Sequence, residues 1–254
     1  MGTSKSYGSP KWPGVNEQVG KAIADTKKVV GAIGTFADAY KQFINAETVG
    51  RASTTPTEKT HGMRGGGAGA TARNRAAVAG AKLGKFLSSA ASLGLGRTLE
   101  KFGFKDLAGK SLEEILNVVL DSLCGKGGLL DDSAMTEAMA KTLDELSKDT
   151  KTVEEFDVQL RSEAKDIEGI LRVYYAHLLA INFEQKEGGF VREKISREEC
   201  NRFFSQSREL IRTIVTEELS RKHDLTSLDW NSSEAVSIAN AINHEVLNIL
   251  IAHE

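Results

Sequence analysis

The chain has 254 residues, of which 40% are apolar, 6% aromatic and 27% charged, and its formal net charge is -2. That is length enough for one large domain or two small ones around a sizeable core. So even a charge balance excludes a global field of the kind that marks whole-protein nucleic-acid binders.

Residues 1–15 are polar and rich in Gly, Ser and Pro, which predicts an extended arm rather than a packed element. They lack the apolar core of a signal peptide, and no apolar run reaches the roughly 18 residues of a membrane span. A cytoplasmic chain with no membrane contact is therefore expected. All three prolines, Pro10, Pro13 and Pro56, lie in the first quarter. The long proline-free remainder favours helices.

A helical segment is predicted over 16–47, where Val19, Ile23, Val29, Val30, Ile33, Phe36, Ala37, Tyr40 and Ile44 recur at helical spacing. Gly20, Gly31 and Gly34 interrupt it, so one helix and a broken pair both remain open. Residues 48–71 read as a Gly-rich basic linker, and 72–254 as an all-α helical domain. An alanine-rich helix should run to about Leu93, followed by one or two further turns in "GRTLEKFG".

Later helices carry their own start signals. Ser111 with Glu114, Thr152 with Glu155, and Ser196 with Glu199 have the spacing of a reciprocal capping box. The first opens a helix through Ile115, Val119 and Leu123. The second is predicted to open one long helix through Phe156, Leu160, Ile167, Leu171, Tyr174 and Leu178. Asp131–Ser147 forms a helix on Met135, Met139, Leu143 and Leu146, and Ser232 or Ser233 starts the last one. Only "FVRE" and "LTSLDW" resemble short strands, so the predicted fold is all-α, a multi-helix bundle with an N-terminal arm and a Gly-rich linker.

No sequence pattern points to a catalytic centre. The five histidines form no HxxxH pair, and no cysteine cluster lies beside them, so no metal is expected. Cys124 and Cys200 sit in apolar helical patterns and read as buried thiols, with a disulfide or reactive thiol as the alternative. Carboxylate pairs such as Glu113–Glu114 and Glu198–Glu199 fall in first helical turns, where the helix dipole accounts for them. "VYYAHLL" places Tyr174, Tyr175 and His177 together without a nucleophile partner. Trp230 is expected to pack on the core.

"MRGGGAGATARNR" follows no strand and lacks the spacing of a P-loop, so it fails both phosphate-binding fingerprints. What remains is a solvated basic linker, or an anion or nucleic-acid contact built from Arg64, Arg73, Arg75, Lys82 and Lys85. From Arg51 to Lys105 the only acids are Glu58 and Glu100, whereas acids dominate from Glu113 to Glu168.

The opening "MGTSKSYGSP" puts a small residue after Met1, so methionine removal would expose the Gly2 α-amine. "MGTSKS" also fits the short M-G-x-x-x-[ST] myristoylation pattern. This opening resembles that of the QatB family of bacterial Qat anti-phage systems, which begins M-G-T-S, a Ser/Gly stretch, then Tyr-Gly-Gly-Pro. The segment "RGGGAGATARNRAAVAGAKLGKFL" is similar to the Gly-Ala-Arg helix of that family. Ser9 stands where the family often has a second Gly.

The resemblance implies a substrate rather than an enzyme. It implies that a QueC-like partner, QatC, attaches a 7-deazaguanine group to Gly2. Thr3, Ser4, Lys5, Ser6, Tyr7 and Gly8 would form the recognition arm. The chain itself would carry no cofactor, with ATP and zinc belonging to the partner. An ATPase and a TatD-like nuclease would complete the system. Two further readings stay open: a helical adaptor indifferent to its N-terminus, and a nucleic-acid module whose binding falls steeply with salt.

Overall fold

The computed structural model describes residues 14–49, 68–104, 110–124, 130–163, 166–217, 225 and 228–253. Among these there are ten α-helices and no strand: α1 (Val15–Ala24), α2 (Val29–Val49), α3 (Ala68–Leu93), α4 (Leu95–Lys101), α5 (Leu112–Cys124), α6 (Leu130–Ser147), α7 (Val153–Glu163), α8 (Ile167–Arg192), α9 (Arg197–Glu217) and α10 (Ser233–Ala252). The all-α expectation holds. "FVRE" is the end of α8, not a strand.

The capping chemistry appears where the spacing placed it. Glu114 N–H donates to Ser111 Oγ (3.2 Å) while the Ser111 N–H donates to Glu114 Oε2 (2.7 Å). Thr152 with Glu155 and Ser196 with Glu199 repeat the exchange, and Ser232 caps α10 through Ala235 N–H. Each box satisfies backbone donors that the first helical turn leaves open.

One boundary decides an open reading and one departs from expectation. The 16–47 segment is the broken pair, interrupted at Asp25, whose carboxylate accepts from Lys27 N–H to start a 3-10 turn over Thr26–Lys28. Gly20, Gly31 and Gly34 lie inside helices. Likewise the helix opened at Thr152 does not run through Leu178. It ends at Glu163, and Asp166 caps a new helix by accepting from Gly169 N–H (3.1 Å). An Asp side chain competes locally for backbone donors, which an apolar period does not register.

Helix α8 is the axis of the bundle. Its 26 residues span about 39 Å, and it packs against α6, α9, α10, α3 and α1. Apolar residues occupy nearly its whole circumference, from Ile170 and Leu171 through Tyr174, Leu178, Ile181 and Phe183 to Val191, as a helix enclosed by others requires. Helices α1 and α2 pack on this body through α8, α9 and α10, and α3 lies against α10, α8, α7 and α2.

Helix α10 is long and apolar enough to cross a membrane by length and composition, with an 18-residue window of mean hydropathy 1.3. Ala239, Ile242, Val246, Leu247 and Leu250 are instead buried in the core, which accounts for its apolar character without a bilayer.

Candidate functional site

The small residues of α3 decide what can approach it. A Cβ built on Gly80 would crowd the Tyr175 ring of α8, with Cζ at 3.1 Å, and one built on Gly84 would collide with the six-membered ring of Trp230. Gly94 ends the helix at φ +82°, a conformation that favours glycine. Directly after it, the Leu95 N–H donates to Asp157 Oδ1 of α7 (2.5 Å), so a side chain distant in sequence caps α4.

Of the predicted basic residues, the structure brings Arg75, Lys82 and Lys85 to one side of α3, spread over about 15 Å along the axis. Arg75 and Lys85 are half-buried and Lys82 is exposed. Arg64 lies outside the described residues. Arg73 belongs to α3, but its side chain lies outside them. So do Gly2, Thr3, Ser4, Lys5, Ser6, Tyr7 and Gly8, with the whole of the expected arm.

Lys85 opens onto a cleft of about 650 Å³ between α3, the end of α4 and the 228–231 turn. Its Nζ stands 5.5 Å from the centroid of the Phe102 ring, and Phe102 meets Phe86 edge-on at 5.8 Å. Ser88, Ser89 and Lys101 line it as well. In the same lining, Asp229 Oδ1 accepts from Asn231 N–H (3.0 Å) and from Asn231 Nδ2 (3.2 Å). Those hydrogen bonds, with the Lys85 charge assisting, hold the Asp229 carboxyl below its ordinary range. Trp230 forms a further wall. It is 6% exposed, and its indole N–H has no acceptor among the described residues.

The sequence singled out Lys85 but not Lys101, Ser88 or Ser89 as site residues, and its first expectation for Trp230 was packing on the core. The adjacent serines in "KFLSSAAS" were the signal available, since two hydroxyls in an alanine-rich helix demand a polar side.

A second cleft, about 710 Å³, lies between α6, α7, α8 and α9. Arg172, 1% exposed, reaches it from α8 and pairs with Glu168 (2.9 Å) and with Glu245 of α10 (2.9 Å). Nearby, His177 Nε2 lies 3.1 Å from Glu145 Oε1, and Arg212 donates to Glu145 Oε2 (2.9 Å). Burial pulls the His177 pKa below its ordinary value, with Arg212 and Lys141 acting in the same sense and Glu145 opposing. The neighbouring Tyr174 and Tyr175 hydroxyls are buried, and desolvation pushes both pKa values up, so they stay protonated. These pairs tie helices together; none places a nucleophile beside a base. Cys124 and Cys200 are unbridged. Among the described residues no three His, Cys, Asp or Glu converge as metal ligands would.

The described residues define an all-α helical bundle with two polar-lined clefts. The family model for the Qat anti-phage system associated protein QatB matches residues 65–250, well over half of the chain. The chain belongs to the QatB family and is a component of the Qat anti-phage defence system. The match begins at Gly65, inside the glycine run, and leaves the first 64 residues outside it. No curated protein matches the chain, and neither does any solved structure.

Proposed function

We propose that this QatB-family chain works as a protein substrate and docking partner, not as an enzyme. A QueC-like partner, QatC, modifies the exposed α-amine of Gly2 with a 7-deazaguanine group. Thr3, Ser4, Lys5, Ser6, Tyr7 and Gly8 are the arm it reads, and the helical body is the platform on which it sits. ATP and zinc belong to that partner. A Qat ATPase and a TatD-like nuclease are the further partners, and the cytoplasm is the setting.

The observation that carries this reading is the conjunction of QatB membership over 65–250 with the family-like opening "MGTSKSYGSP". Chemistry supports it. An α-amine has a pKa near about 8, so at pH 7 it is mostly cationic yet retains a nucleophilic fraction. Capping it with a neutral heterocycle removes one positive charge and adds a flat stacking surface. The polar pairs within the bundle fit a platform, since Arg172, Glu168, Glu145 and His177 are spent on one another.

The test is the intact mass and N-terminal peptide map of the chain, purified with and without its genomic neighbours. A neighbour-dependent adduct on Gly2, of deazapurine size, is the expected result. An unmodified glycine beside an active QueC-like partner overturns the reading. The alternative, a nucleic-acid contact through the basic 51–105 segment, is favoured by the shared side of Arg75, Lys82 and Lys85. It requires binding that weakens steeply with added salt.

A further inference from the structure

We propose that the cleft between α3, the end of α4 and the 228–231 turn binds a phosphate-bearing small ligand of nucleotide size. The proposal uses none of residues 1–13 and stands whether or not Gly2 is modified.

The first argument is the inventory of groups facing the cleft. Lys85 and Lys101 each bring an ammonium, and Ser88 and Ser89 bring hydroxyls. Trp230 belongs to the lining as a residue, while its indole N–H, which can only donate, is closed off from solvent. The one acid in the lining, Asp229, has Oδ1 taken up by Asn231, and it stays ionised. With two lysines against one carboxylate the lining carries a net positive charge, and the lysines and serines supply donors on top of it. A phosphate offers several acceptor oxygens and negative charge, and lysine binds it as a point charge.

Trp230 gives the second argument. A buried donor without a partner has lost its hydrogen bond to water and gained none in return, so such groups call for an explanation. Its indole N–H has no acceptor among the described residues. The edge of the ring that lies on Gly84 is Cε3, Cζ3 and Cη2. The N–H sits across the ring from that edge, turned away from α3. The lack of a Cβ at position 84 seats the indole against the helix backbone and fixes where its donor points.

Size is the third. At about 650 Å³ the space far exceeds what one small anion fills and falls within the range of small-molecule sites. Phe102 and Leu228, both half-buried, supply the apolar surface at its edge that a heterocycle can touch. Lys85 is already steadied over Phe102, so holding it on a ligand costs less side-chain freedom than an unrestrained lysine would.

The full chain has two tryptophans, so Trp12→Phe leaves Trp230 as the sole reporter. Its emission is followed during titration with adenosine diphosphate, adenosine, inorganic phosphate and a thymidine oligonucleotide. Adenosine diphosphate should give a saturable change, inorganic phosphate a weaker one and adenosine none. Lys85→Gln and Lys101→Gln should each weaken nucleotide binding about tenfold, the loss of one charge-assisted contact. Exposed Lys82, outside the lining, is the control, and Lys82→Gln should leave affinity within about twofold. Lys101 is also exposed, so its variant reports on binding without disturbing the core; circular dichroism checks the fold of each.

Three outcomes overturn the proposal. One is no saturable change with adenosine diphosphate at about 10 mM. Another is equal affinity for inorganic phosphate, which would leave the cleft's size without a role. The third is binding dominated by the oligonucleotide and lost in Lys82→Gln as readily as in Lys101→Gln, which would make α3 a strand-binding face.

Discussion

The indole of Trp230 occupies the space that a side chain at position 84 would need: a Cβ built on Gly84 would collide with Cζ3, Cη2 and Cε3 of the Trp230 ring. Ordinarily alanine is favoured over glycine in a helix by about 1 kcal/mol. Here the gain is outweighed, because the methyl would overlap a ring that is only 6% exposed and would have to shift to admit it. We expect Gly84→Ala to destabilise the chain by about 1–3 kcal/mol, the range for overpacking. Gly31 of α2 has nothing within 4 Å of its Cβ position, so Gly31→Ala should stabilise by about 0.5–1 kcal/mol. Urea unfolding of the two variants compares them directly. Equal effects would mean that helix propensity alone governs both sites.

Arg172 joins α8 to α10 through Glu168 and Glu245 in a nearly dry setting. Removing the guanidinium leaves Glu168, itself 4% exposed, without its countercharge. We expect Arg172→Met to cost about 3–5 kcal/mol, as breaking one side of a buried pair does. The paired replacement Arg172→Met with Glu168→Leu should recover much of that loss. If the double variant is no better than the single, the destabilisation comes from packing rather than from stranded charge.

The all-α class and four helix starts could be read from the sequence because their causes are local. A cap and its acceptor lie three residues apart, and apolar residues recur within a few turns. The break at Asp166 is local too, but its signal is one carboxylate inside a continuing apolar pattern, so period alone missed it. The 650 Å³ cleft has no local signature. Lys85 and Lys101 are close in sequence, but Trp230 arrives from the loop before α10, and its contact with Gly84 depends on how α10 lies along α3. Glycines in an alanine-rich helix announce that something approaches closely; they do not say what. The capping of α4 by Asp157 was hidden for the same reason.

Glu187 is an acid in the wrong medium. It is 5% exposed, and its Oε2 has no hydrogen-bond partner among the described residues. Burial raises its pKa above the usual 4.5. Since the folded state favours the neutral acid, its contribution to stability is full below 4.5 and declines as pH rises through the raised value. At neutral pH the carboxylate is therefore a liability. We expect Glu187→Gln to stabilise the chain at pH 7 by on the order of 1 kcal/mol, with the gain shrinking as the acid limb is approached. Thermal unfolding at pH 7 and pH 4.5 checks this; a gain independent of pH would assign the effect to shape instead.

His177 carries the opposite sign. It is packed between Glu145 and Lys141 of α6 and Arg212 of α9, and burial sets its pKa below the ordinary 6.5. The unfolded chain accordingly takes up a proton at this position before the folded one does. Its contribution to stability is complete above pH 6.5 and is lost as pH falls through the lower folded value. His177→Gln keeps a neutral partner for Glu145 and removes the titration. The variant should lose less stability than the parent chain between pH 7.5 and pH 5, measured by urea unfolding at each pH. A parent chain that instead gains stability over that interval relative to the variant would show that Glu145 outweighs burial and that the imidazolium is held, not excluded, in this wall of the bundle.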